Sequence, residues 1–204
     1  GAALIMGLML GGVIGDYRES EKLPAAIGGG MLAFESYARR ALEVAGKDGS
    51  WVHARVAGVA HAVNDWLYGR IDTGAMWAKY EDINRVCDEV AREGATVPYV
   101  NQLHGANNGL GGAIDRVDGI RSTSYIRSGY ALMEFLVGIV LLLMVVCSFD
   151  NAVASWLVPG AISMVYVFMV LFIKDLDNPF DWGGKGSAAD VDSSYWDNVY
   201  KLYQ

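Results

Sequence analysis

The chain has two cysteines among 204 residues, at positions 87 and 147, and that is too few for a spaced disulfide framework. Cys87 lies in a polar helical segment and Cys147 in an apolar run, so both are read as reduced thiols. Basic residues are also in deficit: 16 Lys and Arg against 23 Asp and Glu give a net charge of −7, which argues against nucleic acid as the main partner. No Gly-x-Ser-x-Gly elbow, P-loop or strand-borne Gly-x-Gly-x-x-Gly is present, so the sequence gives no grounds for an enzyme. Sustained period-2 alternation is missing as well, and with it any signal for strands.

Long apolar runs are what the chain does have. Gly129–Phe149 and Ala152–Ile173 hold 21 and 22 residues and are separated only by Asp150 and Asn151. Roughly 20 apolar residues at 1.5 Å each cross a hydrocarbon core of ~30 Å, so a transmembrane helical hairpin is predicted. The first run holds one charge, Glu134, and the second none. An ionisable group in such a run faces a partner, a cavity or a pathway. Glu134 is close to the run's start, so snorkelling or pairing with Arg127 or Arg121 is expected before a role in permeation.

Gly1–Gly15 is apolar but short, about 22 Å at helical rise. It has neither an initiator Met nor a basic n-region, so it is read as the end of a transmembrane helix whose start lies upstream, not as a signal peptide. Its small residues suit close packing or the narrow axis of an oligomer. Asp16–Ser128 carries 13 of the 16 Lys and Arg, with Arg116, Arg121 and Arg127 crowding the first long run and Lys174 following the second. The positive-inside rule therefore places 16–128 and the tail 174–204 in the cytoplasm. Tyr125, Tyr130, Trp156 and Trp182 stand where an aromatic belt is expected.

Residues 16–128 read as four helices, each with one apolar stripe, forming a bundle beneath the membrane. Leu23–Ala45 opens with Pro24 and ends near Gly46; Trp51–Arg70 has Ser50 as its cap; Ala75–Glu93 ends at Gly94; Tyr99–Ile120 is interrupted by glycines. The triple glycine Gly28–Gly30 is read as a mark of flexibility or close packing. His53, His61 and His104 lack metal-ligand spacing and are read as structural, with a membrane metalloenzyme as a minor alternative. The acids Asp175, Asp177 and Asp181, with Asn178, could hold Ca²⁺ on a turn, although their spacing is not that of an EF-hand, and solvated acids at a helix end are the plainer reading. The aromatic segment Tyr195–Tyr203 suits docking on the protein or on a neighbouring subunit.

Three strings carry a resemblance: Gly15-Asp-Tyr-Arg-Glu-Ser-Glu-Lys-Leu-Pro24, Ile120-Arg-Ser-Thr-Ser-Tyr125, and Ile173-Lys-Asp-Leu-Asp-Asn-Pro-Phe180. In order and placement the chain resembles the bestrophin-like membrane proteins, distant relatives of the bestrophin anion channels. The resemblance implies an all-α membrane protein, with transmembrane helices plus a cytoplasmic helical bundle, assembled as a pentameric ring in lipid around an axial pore that conducts anions (chloride). It implies that Gly1–Gly15 is the neck helix, with Leu4, Ile5, Leu8, Met9, Gly12 and Val13 as pore-lining candidates. Asp177, Asp181 and nearby carbonyls would be candidates for a Ca²⁺ clasp, though their dispersal and the lack of aromatic residues in the neck depart from the family pattern. The rival reading is a non-conducting membrane scaffold or accessory subunit of a larger complex.

Overall fold

Three glycines set the rhythm of the middle of the chain. Gly46, Gly69 and Gly94 adopt positive φ of 70°, 68° and 90°, a region an L side chain rarely enters. Each ends a helix in the same way. At the first, Gly46 N donates to Glu43 O and Lys47 N to Leu42 O; at the second, Gly69 N donates to Trp66 O and Arg70 N to Asp65 O; at the third, Gly94 N donates to Ala91 O and Ala95 N to Val90 O. These paired bonds occupy carbonyls that a helix end leaves open.

The computed structural model describes residues 2–122, 127–146, 152–177, 179–180, 182 and 190–204, the side chains of 2, 127–129 and 152 excepted. Gly1, Tyr125, Cys147, Asn178 and Asp181, all used in the sequence reading, lie outside these, as does the Arg127 side chain. The helices are α1 (Ala2–Ser20), α2 (Leu23–Val44), α3 (Ser50–Leu67), α4 (Thr73–Arg92), α5 (Val97–Ser122), α6 (Arg127–Val146), α7 (Ala152–Leu176) and α8 (Ser194–Tyr200), with a closing 3-10 turn Lys201–Tyr203. Among the described residues there is no strand.

The chain divides into two units. One joins residues 20–119 to 180–204. Its core is made of one apolar stripe per helix: Ile27, Met31 and Phe34 of α2, Val52, Val56, Val59 and Val63 of α3, Met76, Ile83 and Val90 of α4, and Leu103, Leu110, Ile114 and Val117 of α5 are fully buried. Burial of each large side chain stabilises by about 1.5–3 kcal/mol. The C-terminal α8 packs on α2 and α3 and adds Trp196, Val199 and Tyr203 to this core. Within the predicted tail 174–204, Leu176 still belongs to α7, and Phe180 onward groups with the bundle.

Several predicted boundaries also move. α1 runs past Gly15 to Ser20. Ser50 is the first residue of α3, not its cap; Asp48 does the capping work, its carboxylate accepting from Ser50 N at 2.9 Å and Ser50 Oγ at 2.7 Å. α4 starts two residues before the predicted Ala75, because Asp72 Oδ1 accepts from Ala75 N at 2.7 Å and caps the helix.

The other unit comprises residues 1–19 and 120–179, and within it α6 packs against α7. Its surface is apolar: Phe135, Leu142 and Val145 of α6 and Trp156, Met164 and Phe168 of α7 are all exposed. Val153–Leu176 is long and apolar enough to cross a membrane, while the described apolar part of α6, Tyr130–Val146, is shorter. The predicted pair of spans is thus supported at one helix by length and composition, and residues 147–150 of the first run are not described. Pro159 sits inside α7, where it withholds one helical N–H.

Candidate functional site: the N-terminal helix and the C-terminal seam

The six pore-lining candidates divide between two faces of α1. Leu4 and Leu8 are 69% and 68% exposed and Gly12 is exposed, whereas Met9 and Val13 are 5% and 1% exposed and Ile5 is intermediate. Met6, Met9 and Val13 recur at helical spacing and form the inward face. Leu4, Leu8, Gly11 and Gly15 follow the same spacing on the opposite face, and a side chain added at Gly11 or Gly15 would meet nothing within 4 Å. The open face is therefore apolar and narrow, with room for another surface to come close.

Glu134 has a partner across the hairpin, and the Arg127 side chain lies outside the described residues. Glu134 Oε1 accepts from Lys174 Nζ at 2.5 Å, joining the start of α6 to the end of α7. Only the fold makes this partner visible, because the two residues are 40 positions apart.

Among the described residues, no group of three or more His, Cys, Asp or Glu is placed to bind a metal ion. Asp175 is exposed and Asp177 half-buried, and Asn178 and Asp181 fall outside the described residues. Cys87 is buried, and burial pushes its thiol up to about 11, which makes it a poor nucleophile.

Two histidines have a different use. On α3, His53 stacks on the Tyr203 ring with centroids 5.5 Å apart, His61 Nδ1 lies 2.7 Å from the Tyr200 hydroxyl, and Asn64 Oδ1 accepts from Trp196 Nε1 at 3.1 Å. Just past the helix, Tyr68 donates to Asp197 Oδ1 at 2.9 Å. The residues 53, 61, 64 and 68 share a helix face, and they meet 203, 200, 196 and 197 in the reverse sense. They form an antiparallel seam that fastens α8 and the 3-10 turn to the bundle. Burial, reinforced by the Asp197 carboxylate, holds the Tyr68 phenol above its usual range. Burial does the same at Tyr203, whose hydroxyl makes no well-formed hydrogen bond but lies close enough to Glu35 for that carboxylate to add to the effect.

Close packing makes the seam possible. A Cβ at Gly28 would come within 3.1 Å of both Tyr195 and Val199, and one at Gly30 within 3.3 Å of Leu110, while Gly29 faces open space. Two of the three consecutive glycines therefore let α8 and α5 approach α2. Trp182 adds to the same region, donating to Val191 O at 2.8 Å with its ring against Tyr68 and Phe180.

No family model matches this chain, and no curated protein does. A solved structure does: the crystal structure of a bacterial bestrophin homologue from Klebsiella pneumoniae, carrying a mutation, superposes with a TM-score of 0.73 over 99% of this chain and 82% of that one, at 12% identity. The resemblance read from three short strings thus extends to the fold of nearly the whole chain.

Proposed function

We propose that this chain, which has the bestrophin fold, is one subunit of a homo-oligomeric ion channel, a pentamer conducting inorganic anions, chloride foremost. The observation that carries the reading is the extent of the shared fold, 99% of the chain at a TM-score of 0.73. Two features of the molecule support it. The outer surface of α6 and α7 is apolar, as a lipid-embedded element requires. One face of α1, along Leu4, Leu8, Gly11 and Gly15, is apolar and open, and several copies around an axis would make a narrow passage that gates by dewetting. On this reading Met9 and Val13 hold the helix in its subunit, and Leu4, Leu8 and Gly12 with the neighbouring glycines line the path. Positive helix ends near the path would favour anions.

Purified protein reconstituted in liposomes under a KCl gradient tests the proposal. Expected is a flux with a reversal potential on the chloride side. A potential on the potassium side overturns the anion assignment, and no flux under any gradient overturns the channel. Mass in detergent separates the rival: a single copy bound to other chains indicates an accessory subunit.

A further inference from the structure

The seam contains two histidines in unlike surroundings. His61 meets a hydroxyl, and Tyr200 can donate to it or accept from it, so that contact survives in either protonation state. His53 meets a carboxylate. Its Nδ1 lies 3.0 Å from Glu35 Oε1 on α2, and the Glu35 side chain is 12% exposed against 50% for His53. On its other side the imidazole is stacked on Tyr203, its plane tilted 22° from the phenol ring. These residues border an open cavity of about 870 Å³ between α2, the α2–α3 turn and the C-terminus.

The charged groups facing that cavity are mostly engaged with one another, and Arg39 shares the Glu35 carboxylate with His53. From α2, Arg40 is paired with Glu43 at 2.9 Å, and from the turn, Asp48 is engaged by Ser50 while Lys47 reaches Glu93 at 3.1 Å. Arg39, also on α2, is 60% exposed and stands 3.6 Å from Glu35, a looser contact than that of His53. Tyr203 is the titratable group contributed by the C-terminal turn.

We propose that His53 is a proton-operated latch for the C-terminal segment. Protonated, it donates a charge-assisted hydrogen bond to Glu35 that holds the imidazolium over the Tyr203 ring, and the cation on that ring tightens the segment. Neutral, it keeps the stack but loses both charge effects. Docking is therefore tightest below the range in which imidazoles titrate, and loosens as pH rises through it. The inference goes beyond conduction and does not depend on it.

Amide hydrogen exchange of residues 194–204 in the full chain, held in nanodiscs between pH 8 and 5.5 and corrected for intrinsic exchange, tests the latch. Protection is expected to rise about two- to fivefold on acidification, the gain from a cation laid on an exposed aromatic face. His53→Gln, which bonds but cannot charge, removes the rise, and so does Glu35→Gln, which keeps the imidazole and removes its counter-charge. His61→Gln retains it. Protection that does not rise in the unaltered protein overturns the latch, as does a rise that survives either the His53 or the Glu35 substitution.

Discussion

The Trp196 indole N–H donates to Asn64 Oδ1 at 3.1 Å inside the bundle, across 132 residues of sequence. Trp196 is fully buried and Asn64 nearly so, which makes this bond a polar pin in an apolar seam. Trp196→Ala is expected to destabilise by about 3–5 kcal/mol through the cavity it leaves. Trp196→Phe fills most of the space and strands the Asn64 carbonyl, at about 1–3 kcal/mol. Denaturant midpoints in detergent measure both, and a Phe variant as stable as the parent would show that the hydrogen bond contributes nothing net.

Gly28 and Gly29 are adjacent, yet substitutions there should act in opposite directions. Gly28→Ala drives a methyl to 3.1 Å from Tyr195 and Val199 and should lower the melting temperature. Gly29→Ala meets open space and should raise it, by roughly 0.5–1 kcal/mol of helix propensity. Thermal melts of the pair decide the matter, and changes of the same sign would count against the close approach of α8.

Asp192 accepts from the Ser194 hydroxyl at 2.7 Å and from its backbone N–H at 2.9 Å at the entrance to α8. The hydroxyl first and then the amide hold its carboxyl below the usual range. A carboxyl depressed in the folded state stabilises above its unfolded pKa, and the benefit is lost as pH falls through the folded value. Asp192→Ala should therefore melt below the parent at neutral pH, with the gap closing in acid. A gap independent of pH would assign the effect to something other than ionisation.

The Glu134–Lys174 contact joins α6 to α7, and both side chains are about half exposed. In water such a pair contributes about 0–1 kcal/mol, but next to lipid an unpartnered charge is dearer. Glu134→Gln and Lys174→Met should each lower thermal stability in detergent or lipid, and the double variant should lose less than the sum. Additive losses would mean that the two charges do not interact.

The two faces of α1 make a contrast between neighbours. Leu8→Ser, on the open face, should ease wetting of the passage and increase liposome flux while the oligomer stays intact. Met9→Ser, on the closed face, should lower the melting temperature instead. Flux that responds to Met9→Ser and not to Leu8→Ser would reverse the assignment of faces.

Much of this architecture was legible in the sequence because it is written locally. The stripes of α2 to α4 repeat at helical spacing, Gly46 and Gly94 mark helix ends, and the two apolar runs mark α6 and α7. Gly69 was missed because Tyr68 and Arg70 flank it within a pattern that looks helical. The partners of Glu134, His53 and Asn64 were not legible, since each lies on another element and no spacing rule reaches it. The signal that could have exposed the seam was there: His53, His61, Asn64 and, just past the helix, Tyr68 form a polar line beside the apolar stripe of α3, facing an aromatic tail in need of a dock. The α1 candidates were read by apolarity alone, without the helical phase that separates Leu8 from Met9.

The seam also fixes an order of events during synthesis. Its bonds span 129 to 139 residues, so they cannot form until residues 196–200 have been synthesised. Until then α2 and α3 present an uncovered apolar trough, while α6 and α7, near neighbours in the chain, can already pair. Contacts of such long range form late and leave nascent surface exposed to aggregation. A chain cut before Ser194 would be a bundle without the piece that covers α2 and α3, and this makes α8 a point of vulnerability for the fold.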